Sequence, residues 1–246
     1  MKKLNLVILF VVLMTAYAAS AQQPTPTPPP GSGPGMGGPG GGRRGPMEDP
    51  DRVVEGGGVF PAGWSARVDL GRDGKEQRVN LVIFNTKGDG FHAKMGPAAT
   101  FYNPTWTKSG NYTFSTRVTQ TEKPTHPISY GIFVGGKNLS DTTQTYTYFL
   151  VRANREGLGE YYIATKKGTA RPVAVVPLTA NLAISKQDEA GKQVNVLGIQ
   201  VQGNDVIFTS NGTEVARKTK AEVQTDGLIG FRVTHNTDID FDQIKK

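Results

Sequence analysis

Ten consecutive residues, Thr143-Gln144-Thr145-Tyr146-Thr147-Tyr148-Phe149-Leu150-Val151-Arg152, contain no glycine, proline or acidic side chain and make the longest run of strand-forming residues in the chain. β-Branched and aromatic side chains suit a pleated, half-buried surface. Side chains alternate across a strand, so Thr147, Phe149 and Val151 share one face and Tyr146, Tyr148, Leu150 and Arg152 share the other. The first face suits a core. The second carries two phenols and a guanidinium, and reads as the partly wet lining of a groove. The run is therefore expected to be a central strand between a dry interior and a ligand-sized hollow.

The chain on either side repeats this grammar in shorter units. Asn111-Tyr112-Thr113-Phe114-Ser115-Thr116-Arg117-Val118-Thr119-Gln120 alternates cleanly, with Tyr112, Phe114, Thr116 and Val118 expected inside. Trp64 to Leu70, Val79 to Phe84, Phe91 to Met95, Ala98 to Tyr102, Tyr130 to Val134 and Tyr161 to Thr165 read the same way, as do 171–176 and 181–184. Val194 to Val201, Val206 to Phe208, Val215 to Lys218, Leu228 to Val233 and Asp238 to Asp242 form a closing meander, in which Asn211-Gly212 is a strong hairpin signal. Glycine, asparagine and aspartate break the segments, as at Gly71-Arg72-Asp73-Gly74. No stretch sustains an apolar period near 3.6 with caps, so helix is expected to be scarce. Strands about 8–12 residues apart argue an all-β, antiparallel β-sandwich of the jelly-roll kind. The roughly 190 residues from Val53 suit one domain that buries about 70% of its unfolded surface.

The first 52 residues are different. Lys2 and Lys3 precede the apolar run Leu6 to Met14, and Ala19-Ser20-Ala21 offers small residues for cleavage before Gln22. That is the pattern of a secretory signal peptide, and the run is too short to span a bilayer comfortably. Residues 22–52 are mostly proline, glycine, threonine and serine, a tether part polyproline and part flexible. The expected organisation is thus signal peptide 1–21, Pro/Gly-rich disordered linker 22–52 and β-sandwich domain 53–246. Location is expected to be exported, periplasmic or extracellular, with no membrane span in the mature form. There is no cysteine, hence no disulfide framework and no thiol chemistry. The formal net charge of +7 falls to about +5 without Lys2 and Lys3, and it is dispersed, whereas nucleic acid needs clustered cations.

From Gly90 to Lys246 the chain resembles bacterial exported concanavalin A-like jelly-roll domains, of the group of unknown function related to 3-keto-disaccharide hydrolases. The resemblance is carried by Gly96-Pro97-Ala98-Ala99-Thr100-Phe101-Tyr102, Gly110-Asn111-Tyr112-Thr113, the stretch His126 to Gly136, Tyr148-Phe149-Leu150-Val151-Arg152, Asn211-Gly212 and Asp226-Gly227-Leu228-Ile229-Gly230-Phe231-Arg232-Val233. It implies a jelly roll and an activity on modified disaccharides. Two positions depart from the hydrolase-like pattern. Tyr146-Thr147-Tyr148 lacks an acid in the central strand, and Val194-Asn195 stands where a Trp-Asn pair is expected. Ligand binding on the same face needs neither.

The candidate ligand-binding residues are Tyr146, Tyr148, Arg152 and Tyr162, with His126 and His235. Aromatic faces stack on sugar C–H surfaces, and arginine offers forked donors to hydroxyls or carboxylates. The histidines, including His92, are far apart and lack metal-type spacing. Asp238, Asp240 and Asp242 share a strand face, but no calcium-type loop accompanies them, so no metal and no cofactor are expected. A glycosidase would need two carboxylates about 5–10 Å apart across a groove. Asp69, Glu76, Glu156 and Glu160 are available, and no motif pairs them. Asn111, Asn138 and Asn211 head glycan-acceptor triplets and read as turn chemistry. The expectation is an exported, non-catalytic module that binds glycan or another polar envelope ligand. A disaccharide hydrolase and a structural surface domain are the alternatives.

Overall fold

A computed structural model of the chain describes residues 51–70 and 79–246. The expected signal peptide, the linker up to Pro50, and the turn read at 71–74 lie outside the described residues. Fourteen strands are described: β1 (Ser65–Val68), β2 (Val82–Lys87), β3 (Gly90–Met95), β4 (Ala99–Lys108), β5 (Tyr112–Gln120), β6 (Tyr130–Lys137), β7 (Thr145–Ala153), β8 (Gly159–Lys167), β9 (Val173–Ala180), β10 (Gln193–Gln202), β11 (Asp205–Ser210), β12 (Thr213–Thr219), β13 (Gly227–Val233) and β14 (Asp238–Lys245). Helix is limited, among the described residues, to one 3-10 turn at Val79–Leu81. The strands form two seven-stranded sheets, with order β1-β4-β13-β6-β7-β8-β9 in sheet I and β12-β11-β10-β5-β14-β3-β2 in sheet II. Every described pairing is antiparallel, and the chain crosses repeatedly from one sheet to the other. The all-β sandwich read from the sequence is the fold the chain adopts.

The central run becomes β7, paired with β6 on one side and β8 on the other. Its Phe149 and Val151 enter the layer between the sheets with Phe84, Phe101, Phe114, Phe208, Phe231 and Phe241. In β5 the inward side chains Phe114, Thr116 and Val118 are fully buried, as the alternation requires. Phe231 lies at the hub of an aromatic cluster: its ring stacks on Phe241 at 4.3 Å and on Trp64 at 5.7 Å. Tyr130 is buried in the same layer and donates to Gln193 Oε1 at 2.6 Å, so the phenol enters the core with its polar atom satisfied.

Turns follow the residue chemistry. Asn211, with φ 51°, and Gly212, with φ 81°, close the β11–β12 hairpin with the positive dihedrals that such a turn requires. The Asn211 side chain also accepts from Val196 N and donates to Ala183 O, which ties the hairpin to its neighbours. The expectation at 181–184 is corrected. Asn181 Oδ1 accepts from Ala183 N and Ile184 N donates to Asn181 O, so a local turn takes these backbone groups. Leu182 is left fully in solvent there.

Asp51 and Arg52, read as the end of the tether, lie against the sandwich. Arg52 N donates to Asn236 Oδ1 (2.7 Å), Arg52 Nε to Met95 O (2.8 Å) and Nη2 to Thr237 O (2.6 Å), and the guanidinium pairs with Glu122.

Phe231→Ala should empty the hub and cost about 3–5 kcal/mol of unfolding free energy in urea titrations. Leu182→Ser should change it by no more than about 0.5 kcal/mol.

Candidate functional site

Sheet I has two faces, and the one turned away from sheet II is where the sequence places its ligand groove. Strand alternation brings Tyr146 and Tyr148 from β7 and Tyr162 from β8 to this face, with Tyr102 from β4, Phe133 from β6 and Leu228 from β13. Tyr148 and Tyr162 meet edge to face, with centroids 5.6 Å apart at 87°. Tyr146 lies 6.0 Å from Tyr148 and 5.4 Å from Phe133.

The assignment of faces holds, but the wet lining does not. Tyr146 is 1% exposed and Tyr148 5%. Leu139, carried in by the loop after β6, joins Leu150 and Ala164 around these rings and builds a second apolar layer. The phenols find partners inside that layer. Tyr146 Oη accepts from Thr100 Oγ1 at 3.3 Å, and Tyr148 is hydrogen-bonded to Tyr162. Burial pushes the Tyr148 phenol well above its ordinary pKa, and that of Tyr162 upward too. Tyr146 and Tyr148 cannot stack on a ligand as they stand. They form the floor beneath one, and Tyr162, partly exposed, is the phenol of the three that reaches the surface.

Arg152 is also on this face, at the β7 end, and donates from Nε to Glu160 Oε2 at 2.8 Å. The Glu160 carboxylate considered as a catalytic acid is thereby committed to a cation. Of the other acids considered, Glu76 lies outside the described residues and Asp69 is committed more deeply. Arg232, next to last in β13, is 8% exposed and forks onto Asp69 through Nη1 (2.9 Å) and Nη2. Burial works against the Arg232 charge, yet the Asp69 charge and hydrogen bond outweigh it and hold its pKa above the ordinary arginine value. Sequence reasoning placed Arg232 in a strand without a role. A signal was present, since a cation between Phe231 and Val233 in a buried strand must find an acid.

Toward the opposite end of β7 and β8 the face is cationic. Arg67 donates to Ser140 O at 3.2 Å and Lys166 to Ala170 O at 2.7 Å. Together with Asp69, Leu70, Gln144 and Thr169 they line a small cavity of about 90 Å³. None of Arg67, Gln144 and Lys166 was singled out from the sequence, because nothing local distinguishes them from solvated polar residues.

His126 and His235, 109 positions apart, are brought together at one end of the sandwich, with their Nε2 atoms 2.9 Å apart. His235 Nδ1 lies 3.0 Å from Asp51 Oδ1 and His126 Nδ1 3.2 Å from Thr125 Oγ1. His126 also borders a groove of about 470 Å³ with Gln120, Lys123, Arg155 and Gln187. This pair is not on the tyrosine face, so the six candidate ligand-binding residues fall into two groups. His92 is elsewhere again. It lies between Asp240 (2.8 Å) and Asp238 (3.5 Å), while Lys87 also holds Asp240 and Arg117 holds Asp242. Asp240 and Asp242 thus each have a cationic side chain as neighbour, and Asp238 accepts from Thr121 Oγ1 at 2.6 Å. Despite partial burial, the hydrogen bonds from Lys87 and His92 hold the Asp240 pKa below the usual carboxylate range.

No family model and no curated protein matches the chain. Among solved structures it is similar to a carbohydrate-binding module, CBM66, from Bacillus subtilis, at 9% identity and a TM-score of 0.48, covering 78% of this chain and 98% of that one. It is similar to sheep galectin-11 in complex with glycerol at 13% identity and 0.37, covering 56% and 91%. It is also similar to a Bacillus subtilis protein of unknown function with a galectin-like fold at 12% and 0.42, covering 74% and 87%. At these values the likenesses do not bear on what this chain binds.

Asp69→Asn would leave Arg232 buried without its counter-charge. It should cost about 2–4 kcal/mol, somewhat less than for a fully buried pair because the Asp69 side chain is 37% exposed. Arg232→Met should cost less, since Asp69 can hydrate; equal losses in denaturant titrations would contradict the asymmetry.

Proposed function

We propose that the chain is an exported, non-catalytic module that binds a hydroxyl-rich ligand of the glycan class on the outer face of sheet I. The observation that carries this reading is the surface around Tyr162. A phenol ring held edge-on by Tyr148 sits on a rigid strand, and the Arg152–Glu160 pair is carried on the same two strands. An apolar ring beside fixed donors and acceptors is what sugar recognition requires. The sealed phenols below supply rigidity, so little ordering entropy is lost on binding. Export is supported by the charged start, apolar run and small-residue site of residues 1–21, and by a cysteine-free chain.

A hydrolase acting on 3-keto-disaccharides is the second reading, drawn from the resemblance. One observation favours a catalytic role, the Asp51–His235–His126 chain of hydrogen bonds, which could relay a proton. Against it, a glycosidase needs a carboxylic acid whose pKa is raised. Among the described residues the carboxylates displaced from their ordinary values, Asp141, Glu222 and Asp240, are all displaced downward. Asp69 and Glu160 are held by arginines.

A glycan array, followed by calorimetry on the best ligand, tests the reading. Tyr162→Ala combined with Arg152→Ala should weaken binding at least a hundredfold, while Tyr146→Phe should leave it within about threefold. Unchanged affinity in a folded double variant removes the proposed face. Turnover of a 3-keto-glucoside that is lost in His235→Ala would favour the hydrolase.

A further inference from the structure

The cavity beside Lys166 has properties that a neutral sugar does not use. Two cations line it, Arg67 from β1 and Lys166 from β8, and Arg232 from β13 is near enough to act on Lys166. Among the described residues one carboxylate, Asp69, lines the cavity with them, and both its oxygens are taken by Arg232. Asp141, the next acid toward Arg67, is turned onto the Thr143 amide (2.6 Å) and hydroxyl (2.8 Å). Among the described residues Arg67 and Lys166 make no ion pair; each donates to a neutral backbone carbonyl. Burial lowers the Lys166 pKa, and Arg232 and Arg67 push it the same way, although Asp69 opposes them. Among the described residues the cluster is under-neutralised, and an anion placed between Arg67 and Lys166 would relieve it.

A second feature points to what accompanies the anion. Gln144 is 5% exposed and lines the same cavity, and among the described residues its Oε1 has no hydrogen-bond partner. Its Nε2 lies 3.5 Å from Gly168 O. A buried acceptor without a donor costs free energy until a hydroxyl or amine supplies one. The cavity is small, about 90 Å³, and would take the acidic end of a saccharide. The remainder of the ligand would lie outside, along the face that carries Tyr162.

We propose that this cavity is an acid-recognising subsite, which takes the carboxylate of a uronic-acid-class saccharide between Arg67 and Lys166 while a vicinal hydroxyl donates to Gln144 Oε1. The inference rests on the glycan reading and narrows it to acidic, hydroxylated ligands.

Calorimetry at low ionic strength on the full chain, with three probes, tests it: a glucuronate-containing oligosaccharide, its neutral glucose counterpart and inorganic sulfate. The acidic saccharide should bind at least tenfold tighter than the neutral one. Arg67→Met with Lys166→Met should abolish that difference and leave the neutral affinity unchanged. Gln144→Met should weaken the acidic saccharide and leave sulfate unaffected. The Lys166 ammonium should titrate at higher pH when the acid is bound, a shift that a purely structural lysine would not show. Equal affinity for acidic and neutral saccharides overturns the subsite and leaves the glycan face standing. Sulfate binding as tightly as the uronate, with the uronate affinity itself indifferent to Gln144→Met, overturns the hydroxyl contact and leaves a plain anion site. Binding of no saccharide at all overturns both readings together. Thermal melts of each variant separate lost binding from lost fold.

Discussion

Sheet I is apolar on both faces, and most of what is distinctive about the molecule follows from that constraint. One face packs against sheet II through phenylalanine rings, as in any sandwich. Among the described residues no third layer covers the other, yet Tyr102, Phe133, Tyr146, Tyr148 and Leu150 bury themselves there against one another and against Leu139. A face sealed by tyrosines must satisfy their hydroxyls, and Thr100, Tyr162 and neighbouring donors do so. It must also tolerate Arg232, whose charge persists in the layer because Asp69 answers it through two contacts. Removing the acid would leave a desolvated cation in an apolar surface, which is far costlier than never having placed one there.

That sealed layer changes what the surface can do. Loose tyrosines would give a soft, adaptable face. Buried ones give a hard floor whose exposed features are few and fixed: the Tyr162 ring, the Arg152–Glu160 pair, and the cationic rim of Arg67 and Lys166. Chemistry is therefore concentrated in a small number of positions held by strands, where groups are positioned more accurately than on loops. The histidine pair at the end of the sandwich contrasts with this. His126 lies in the loop before β6 and His235 in the one after β13, and Asp51 reaches them from beyond the first strand.

Local pattern carried the strand assignments well. The ten-residue run from Thr143 corresponds to β7 within two residues, and the division of its side chains between two faces is correct. The Asn211-Gly212 hairpin and the alternation of β5 were equally readable, because both depend on neighbours in the chain. What alternation cannot report is what covers a face. Tyr146 and Tyr148 were read as wet because a guanidinium shares their side of the strand. Their burial depends on Leu139 and on rings from β4 and β6, which no period within β7 encodes. The Asp69–Arg232 pair spans 163 positions and the His126–His235 contact 109, so both arise only from the order of strands in the sheet. Asn181 to Ile184 failed for the opposite reason. Its composition suits a strand, but an asparagine that satisfies the following backbone made a turn instead.

The account depends on the outer face of sheet I being the place where ligand meets protein. Amide and side-chain chemical-shift mapping by NMR, during titration with an acidic oligosaccharide, reads this directly. The account predicts perturbations concentrated at Tyr162, Arg152, Gln144, Lys166 and Arg67, with the sheet II strands β10 to β12 silent. Perturbations centred instead on His126 and His235, or along the β9 edge, with the tyrosine face unmoved, would contradict it.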